Sequence, residues 1–304
     1  MIGAAVQTLE WVRCPVCDAD RARTLFEKQG LTVVGCGNCQ VRYVNPRPTA
    51  ERLAALYQEE YFAAGSPDSS GAQHVQHREM KLATARLRLR LLEDFRAKGR
   101  LVDVGCGGGF LVQAAGATGW SALGLEPSTA TARRAAREQH VRIVAGRLEE
   151  APFRAARFDA VTMLDVLEHV LSPRVFLIRA RQLLVPGGVL LVETPNMVGW
   201  VTGFMGSRHP HVRPLEHLTY FTPPTLRFLL EQTGYVVRHL AESAPKVLTL
   251  DYVLSLTPST NPLLTRVARA SLGWWRGLCR YPFRLPLDTL VAVAEATGAR
   301  CEAD

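Results

Sequence analysis

The chain has 304 residues, 47% hydrophobic and 21% charged, enough for one large α/β domain plus a small appendage. No stretch reaches the roughly 18 uninterrupted apolar residues that spanning a bilayer requires, and residues 1–10 lack the basic start and apolar core of a secretory leader, so a cytoplasmic protein is expected. The net charge of +8 is spread over arginines such as Arg86, Arg88, Arg90, Arg133, Arg134 and Arg137, a basic solvated surface that suits an anionic partner without demanding one.

Seven cysteines is an odd number, which argues against a fully paired secreted framework. Cys14 and Cys17, then Cys36 and Cys39, form C-x2-C-x18-C-x2-C, the spacing of a zinc ribbon. Four thiolates complete a closed tetrahedral site with no open position, so the expected Zn2+ is structural and stabilises a segment too short to build its own core. Gly35 and Gly37 are expected to supply the backbone freedom of the knuckle. Cys106, Cys279 and Cys301 are isolated and read as packing or surface thiols.

Asn45-Pro46-Arg47-Pro48 is a turn-forming linker, and Thr49 caps a helical stretch with Leu53, Leu56, Tyr57 and Tyr61. Residues 65–71, rich in Ser, Pro, Asp and Gly, read as a loop that serves as a lid. The organisation follows: a zinc-ribbon module over 1–47, a helical lid or linker over 48–98, a cofactor-binding domain over 99–242 with an insertion at 196–222, and a C-terminal extension over 243–304 that supplies the last strand.

Arg100 to Val104 reads as a buried strand running into Asp103-Val104-Gly105-Cys106-Gly107-Gly108-Gly109 and a helix from Phe110 to Ala117. Such a turn lets a ligand approach the backbone and meet the free N–H groups of the helix. The next strand, Ala122 to Leu125, ends in Glu126, placed to accept the ribose hydroxyls of an adenosine. Asp103 is unhelpful against a pyrophosphate but suits a ligand carrying an ammonium and a sulfonium, which favours S-adenosylmethionine over NAD.

On these residues the chain resembles the class I S-adenosylmethionine-dependent methyltransferases over about residues 80 to 242. The resemblance includes Gly146-Arg147-Leu148-Glu149 after the third strand, Phe158-Asp159-Ala160-Val161 opening the fourth, and Leu184 to Leu190 entering the fifth. It implies cofactor contacts at Asp103, Gly105, Cys106, Gly107, Gly109, Glu126, Pro127, Leu164, and, for adenine, Leu148 and Glu149. The alternation of segments supports the same doubly wound, Rossmann-like α/β sheet of seven strands. Helices are expected at 129–138, 174–184 and 224–233, and strands at 141–144, 160–164, 189–192, 235–241 and 290–296.

Methyl transfer needs an acceptor placed in line with the sulfonium carbon and, for a hydroxyl, help in removing its proton. The fourth strand ends in Asp165-Val166-Leu167-Glu168-His169, at the carboxyl edge where open α/β sheets bind ligands. If the chain turns helical there, Asp165, Glu168 and His169 share a face, and Pro214 to Phe221 brings His217 back over the same edge. This set is similar to that of ubiquinone-pathway O-methyltransferases and small-RNA 2′-O-methyltransferases. The likeness implies a divalent ion, Mg2+ or another, held by Asp165, Glu168, His169 and His217 and binding the acceptor oxygens. Without a metal, His169 acts as a base or packs. His74, His77, His209 and His211 read as solvated.

The insertion carries Trp200, Phe204 and Met205 beside Arg208, His209, His211 and Arg213, and the tail mixes Trp274, Trp275 and leucines with arginines. This suits a cap over an acceptor pocket, with membrane-surface contact as the alternative. The leading expectation is O-methylation of a small-molecule, glycan or lipid-linked hydroxyl. RNA methylation with the zinc ribbon gripping nucleic acid is less favoured, because the basic residues form no continuous stripe with stacking aromatics. Sugar C-methylation and a non-catalytic cofactor-fold protein are the remaining readings.

Overall fold

The computed structural model describes residues 9–53, 71–209, 211–249 and 282–297. Tyr57, Tyr61, most of the expected lid, the apolar and arginine-rich tail with Cys279 and Cys301, and the side chains of His74, His77 and Trp200 lie outside the described residues.

Strand β1 (Leu9–Glu10) leads into the first cysteine pair. β2 (Ala22–Lys28) and β3 (Leu31–Cys36) form a hairpin closed by Gln29 and Gly30, both at positive φ as a tight two-residue turn requires. β4 (Arg42–Val44) pairs antiparallel to β3, and β5 (Arg47–Pro48) returns to β1. Asn45 joins the ends of the module: its Oδ1 accepts the Val12 N–H at 3.0 Å and its Nδ2 donates to the Val12 carbonyl at 3.1 Å. Gly35 and Gly37 do not supply the knuckle's unusual backbone. Asp18 and Gln40 do, at φ 58° and 64°, each directly after the second cysteine of its pair. Each closes its turn by donating its N–H to the first cysteine's carbonyl, Asp18 to Cys14 at 2.9 Å and Gln40 to Cys36 at 3.1 Å.

After helix α1 (Gly71–Glu93) the chain alternates β6 (Arg100–Val104), α2 (Phe110–Ala117), β7 (Ser121–Glu126), α3 (Thr129–Gln139), β8 (Ile143–Ala145), β9 (Phe158–Leu164), α4 (Pro173–Leu183) and β10 (Leu184–Pro195). A short α5 (Trp200–Met205), β11 (Thr219–Tyr220), α6 (Pro223–Gln232), β12 (Tyr235–Ala241), β13 (Pro245–Leu248), β14 (Phe283–Pro286) and β15 (Thr289–Ala296) follow. The central sheet has seven strands in the order β12-β15-β10-β9-β6-β7-β8; β10, β9, β6, β7 and β8 run parallel, and β15 pairs antiparallel with both β10 and β12.

Both faces of this sheet are covered, which is why its strands read as near-continuous apolar runs. Val102, Val161, Leu190 and Val192 pack with Leu177, Leu183 and Leu229 on one side; their neighbours Leu101, Ala160, Val189 and Leu191 pack with Leu89, Leu92 and Leu111 on the other. The sequence order reverses between β6 and β9, so the cleft at their carboxyl ends is the ligand-binding position of an open α/β sheet. α3, α4 and α6 are capped by the side chains of Ser128, Ser172 and Thr222, whereas α2 begins at Gly109 with no side-chain cap and leaves its first N–H groups facing that cleft.

The cysteine module is built into the domain. β11, from the insertion, pairs antiparallel with β4, and Cys14, Val16, Val34, Val41 and Tyr43 share one buried cluster with Phe221 and the sheet residues above. Behind the cleft, Arg88 Nε meets Glu193 Oε2, and Lys246 Nζ bridges Glu193 Oε1 at 2.7 Å and Asp165 Oδ2 at 2.9 Å. Arg88 and Glu193 are only 3% and 2% exposed, so removing the shared carboxylate strands the buried Arg88 guanidinium and leaves Lys246 with Asp165 alone. Glu193→Gln is expected to cost about 3–5 kcal/mol, read as a lower denaturant midpoint; a loss under about 1 kcal/mol would mean that Arg88 and Lys246 find water instead. Among the described residues no helix is long and apolar enough to cross a membrane.

Candidate active site and cysteine knuckle

Asp103, at the end of β6, is buried and accepts a hydrogen bond from Thr162 Oγ1 at 2.7 Å. Glu126, at the end of β7, folds back on the glycine turn: Oε2 accepts the Gly107 N–H at 2.9 Å and Oε1 the Ser128 N–H at 3.0 Å, which leaves each oxygen a lone pair for a ribose hydroxyl. Gly105, at φ 70°, has a second constraint, since a Cβ there would lie 2.6 Å from Val166 Cγ2. The glycine turn and the Asp165 to His169 turn therefore touch, and only glycine permits it. Gly107 and Gly109 also have positive φ, and a Cβ on Gly107 would meet open space. The Cys106 thiol packs under Gly124, so only its backbone faces the turn. Gly146 N–H donates to the Glu126 carbonyl at 2.9 Å, which brings the following loop beside Glu126; there the Leu148 side chain turns into the core while Pro127 and Glu149 stay exposed and Leu164 is half-buried.

Burial pushes Asp103 up to about 7, with the Glu126 charge adding to the rise, and burial raises Glu126 as well. A cationic ligand reverses this by stabilising both anions. Since the folded value of Asp103 lies above that of an unfolded aspartate, ionising it destabilises the ligand-free fold as pH rises from about 4 to about 7, and a cationic ligand must displace its proton below about 7. Affinity for S-adenosylmethionine is accordingly expected to rise by up to about tenfold per pH unit below about 7 and then level off. Calorimetry between pH 5.5 and 8.5 in buffers of differing ionisation enthalpy tests this; a flat profile without proton release refutes it.

The chain after β9 makes a tight turn, with His169 N–H bonded to the Val166 carbonyl at 3.0 Å, and not a helix. Glu168 is 2% exposed; its Oε2 accepts Thr194 Oγ1 at 2.9 Å, while Oε1 is buried with no hydrogen-bond partner. His169 Nε2 stands 3.9 Å from that oxygen, and the His169 and His217 rings meet edge to face with centroids 4.7 Å apart. Backbone carbonyls fix both rings: His169 Nδ1 lies 3.0 Å from the Glu216 carbonyl and His217 Nδ1 2.7 Å from the His211 carbonyl. With Nδ1 donating, the Nε2 lone pairs are left to turn toward Glu168.

One ligand atom from each of Glu168, His169 and His217 falls within 4.8 Å of the others. Burial, then the Asp165 charge, pushes Glu168 up to about 8; burial lowers His169 to about 4 and His217 further. Two neutral imidazoles and a carboxyl with an orphaned oxygen form the donor set of a 2-His-1-carboxylate cation site. Asp165 is not part of it. At φ 53° its side chain turns to Lys246, since the turn is not helical, while its charge still reaches Glu168. Nor are His209 and His211 solvated: His209 is buried, its Nδ1 accepts the His211 N–H at 3.2 Å, and His211 stacks over His217 with centroids 6.1 Å apart.

In the knuckle, Cys14 Sγ lies 3.6 Å from Cys39 Sγ and Cys17 Sγ 3.6 Å from Cys36 Sγ, and all four sulfurs lie within 4.8 Å of one another. Thiolates bound tetrahedrally at about 2.3 Å from zinc stand about 3.8 Å apart, so the cluster fits such an ion. Asn38 supports it, donating its N–H to Cys36 Sγ at 3.4 Å and its side-chain amide to Cys17 Sγ at 3.5 Å.

Residues 75–240, more than half the chain, match the family model described as Methyltransferase domain. The chain belongs to the methyltransferase domain family. Its methyltransferase domain is 34% identical over 147 residues to the ubiquinone biosynthesis O-methyltransferase of Roseobacter denitrificans, 44% of this chain and 59% of that protein. The mitochondrial ubiquinone biosynthesis O-methyltransferase of Homo sapiens is 31% identical over 154 residues, 46% of this chain and 42% of that protein. The chain thus spans about half the length of these curated relatives. An S-adenosylmethionine-dependent methyltransferase of Archaeoglobus fulgidus shares the fold, with TM-score 0.50 at 19% identity over 78% of this chain and 100% of that one.

Within this domain, sequence reasoning missed Thr194, which orients Glu168, and the carbonyls of His211 and Glu216, which orient the two imidazoles. It also missed Lys246, which holds Asp165 away from the cluster. A carbonyl leaves no mark in a sequence. Thr194, two residues beyond Val192 on β10 and hence on the same face, at the edge where ligands bind, had a faint one.

Proposed function

We propose that the chain transfers a methyl group from S-adenosylmethionine to a hydroxyl oxygen of a small-molecule or lipid-linked acceptor, with a divalent ion such as Mg2+ at Glu168, His169 and His217 and Zn2+ in the cysteine knuckle. The observation that carries this reading is the convergence of an orphaned, buried Glu168 oxygen with two carbonyl-oriented imidazoles at the sheet edge that binds the cofactor. The hydroxyl oxygen attacks the methyl carbon in line with the sulfonium as its O–H bond breaks and the proton passes to water; the C–S bond pair stays on sulfur, and S-adenosylhomocysteine leaves as a neutral thioether. The bound ion supplies Lewis acidity that lowers the acceptor hydroxyl pKa.

The chain's own residues do the rest. Asp103 and Glu126 receive the cationic amino acid end and the ribose, and the uncapped start of α2 faces the cofactor. Thr194 keeps one Glu168 oxygen engaged so that the other faces inward, and the His211 and Glu216 carbonyls fix the tautomer of each imidazole. The zinc reading rests on the four converging sulfurs.

The test is transfer of labelled methyl into an extract of the encoding cells, separated into small-molecule, lipid and RNA fractions. A chelator treatment mild enough to leave four-thiolate zinc in place accompanies it. Label in the small-molecule or lipid fraction that vanishes with chelator and returns with Mg2+ or Mn2+ is the expected result. Label in RNA, or transfer indifferent to chelation, overturns the reading.

A further inference from the structure

Between the knuckle and the methyltransferase domain lies a cavity of about 610 Å³, walled by residues 12–18 on one side and by Arg47, Leu171, Ser172 and Arg174 on the other. Its size falls in the range of small-molecule sites. Three guanidiniums from three separate elements line it: Arg13 in the first cysteine turn, Arg47 on β5 and Arg174 in the first turn of α4.

Arg47 is fixed, since its Nε meets Glu10 Oε1 at 2.8 Å and its NH1 donates to the Leu171 carbonyl. Arg13 donates only Nε, to the Asp18 carbonyl at 2.9 Å, with the exposed Asp18 carboxylate 3.8 Å away. Arg174 has no acidic partner among the described residues. Glu10, Asp18 and a loaded four-thiolate site offset the three cations, so what the cavity offers an anion is directional donors: among the described residues most of the three arginines' guanidinium N–H groups have no acceptor. Guanidiniums approaching from separate directions suit an anion with several oxygens better than a single carboxylate, which one arginine satisfies bidentately.

One wall of the cavity connects to the Glu168, His169 and His217 cluster through Leu171. Leu171 is two residues beyond His169, and it packs against Leu218, which follows His217. We propose that this cavity binds the phosphate or diphosphate of the acceptor, which makes the substrate a phosphate-bearing conjugate whose hydroxyl reaches Glu168, His169 and His217. The link to the acceptor rests on the O-methylation reading; the anion site itself does not.

Calorimetric titration of the full-length, zinc-loaded protein with inorganic pyrophosphate tests the site directly, beside the double variant Arg13→Gln/Arg174→Gln and, as a control, Arg238→Gln on β12. Saturable binding is expected, weakened about tenfold or more in the double variant and unchanged in the control, with S-adenosylmethionine affinity and melting temperature retained in both. No saturable binding at about 1 mM pyrophosphate overturns the proposal, as does equal binding by wild type and double variant. Two further arms name the source of the phosphate. Uridine diphosphate binding tighter than pyrophosphate assigns a nucleotide conjugate, and arginine-dependent cosedimentation with phosphatidylglycerol vesicles assigns a lipid-linked one. Pyrophosphate binding together with labelled methyl outside hydroxyl acceptors would leave the anion site standing and remove the O-methylation reading alone.

Discussion

Glu168→Gln is expected to lower methyl transfer by about a hundredfold to a thousandfold while leaving S-adenosylmethionine affinity within about twofold. Glutamine fills the same space and its amide oxygen can keep the 2.9 Å bond from Thr194, so the change removes only the negative charge and the lone pairs of the orphaned oxygen. Asp103 and Glu126, the proposed cofactor contacts, belong to other strands. Folding should not suffer. Burial and Asp165 hold the folded Glu168 near 8, above an unfolded glutamate, so its ionisation works against the ion-free fold as pH rises from about 4 to about 8. Glutamine lacks that penalty, and the ion-free variant should melt at or above the wild-type temperature at pH 9. Single-turnover transfer, cofactor calorimetry and thermal melts together check the prediction; a variant within threefold of wild type in transfer would remove Glu168 from the chemistry.

The second large effect concerns the knuckle. In Cys36→Ser/Cys39→Ser two of four thiolates are lost, and with them the proposed zinc ion that would join the β2–β3 hairpin to the first cysteine turn. The consequence reaches the active site through the backbone. Val44 N–H donates to the Leu218 carbonyl at 3.0 Å, β4 pairs with β11 through Tyr43 and Thr219, and Leu218 and Thr219 N–H groups donate to the Glu168 carbonyl at 2.8 and 3.2 Å. His217 is thus held between the knuckle's edge strand and the Glu168 backbone. Hydrogen exchange should show protection lost over residues 31–44 and also at 217–220, with transfer reduced at least about tenfold and cofactor affinity retained. Intact protection at 217–220 in the double variant would show that the methyltransferase domain holds His217 unaided.

Much of the fold is legible locally. The short apolar runs of β6, β9 and β10, and the capping residues Ser128, Ser172 and Thr222, mark these elements in the sequence itself. The 235–241 strand falls where its pattern placed it. The fifth strand runs further than expected, over 184–195, because its first residues join β9 before a break in register at Val189. The candidate site was legible in part. Glu168, His169 and His217 could be named from their place after two strands, but a helical turn at 165–169 was the wrong geometry, and it placed Asp165 in a set from which Lys246 withdraws it. His209 and His211 look like loop histidines until the insertion folds them against His217.

By itself, the sequence determined the cofactor class and the thiolate cluster, because both depend on short spacings: a glycine turn between a strand and a helix, an acidic strand end, and cysteines two apart. Only the tertiary structure decided that the knuckle's edge strand β4 pairs with β11, the strand that follows His217. The pairing of Tyr43 with Thr219 and the salt bridge from Lys246 to Asp165 join residues far apart in the chain. The orientation of the His169 and His217 imidazoles comes from the carbonyls of Glu216 and His211, groups that every residue possesses and that only folding can aim.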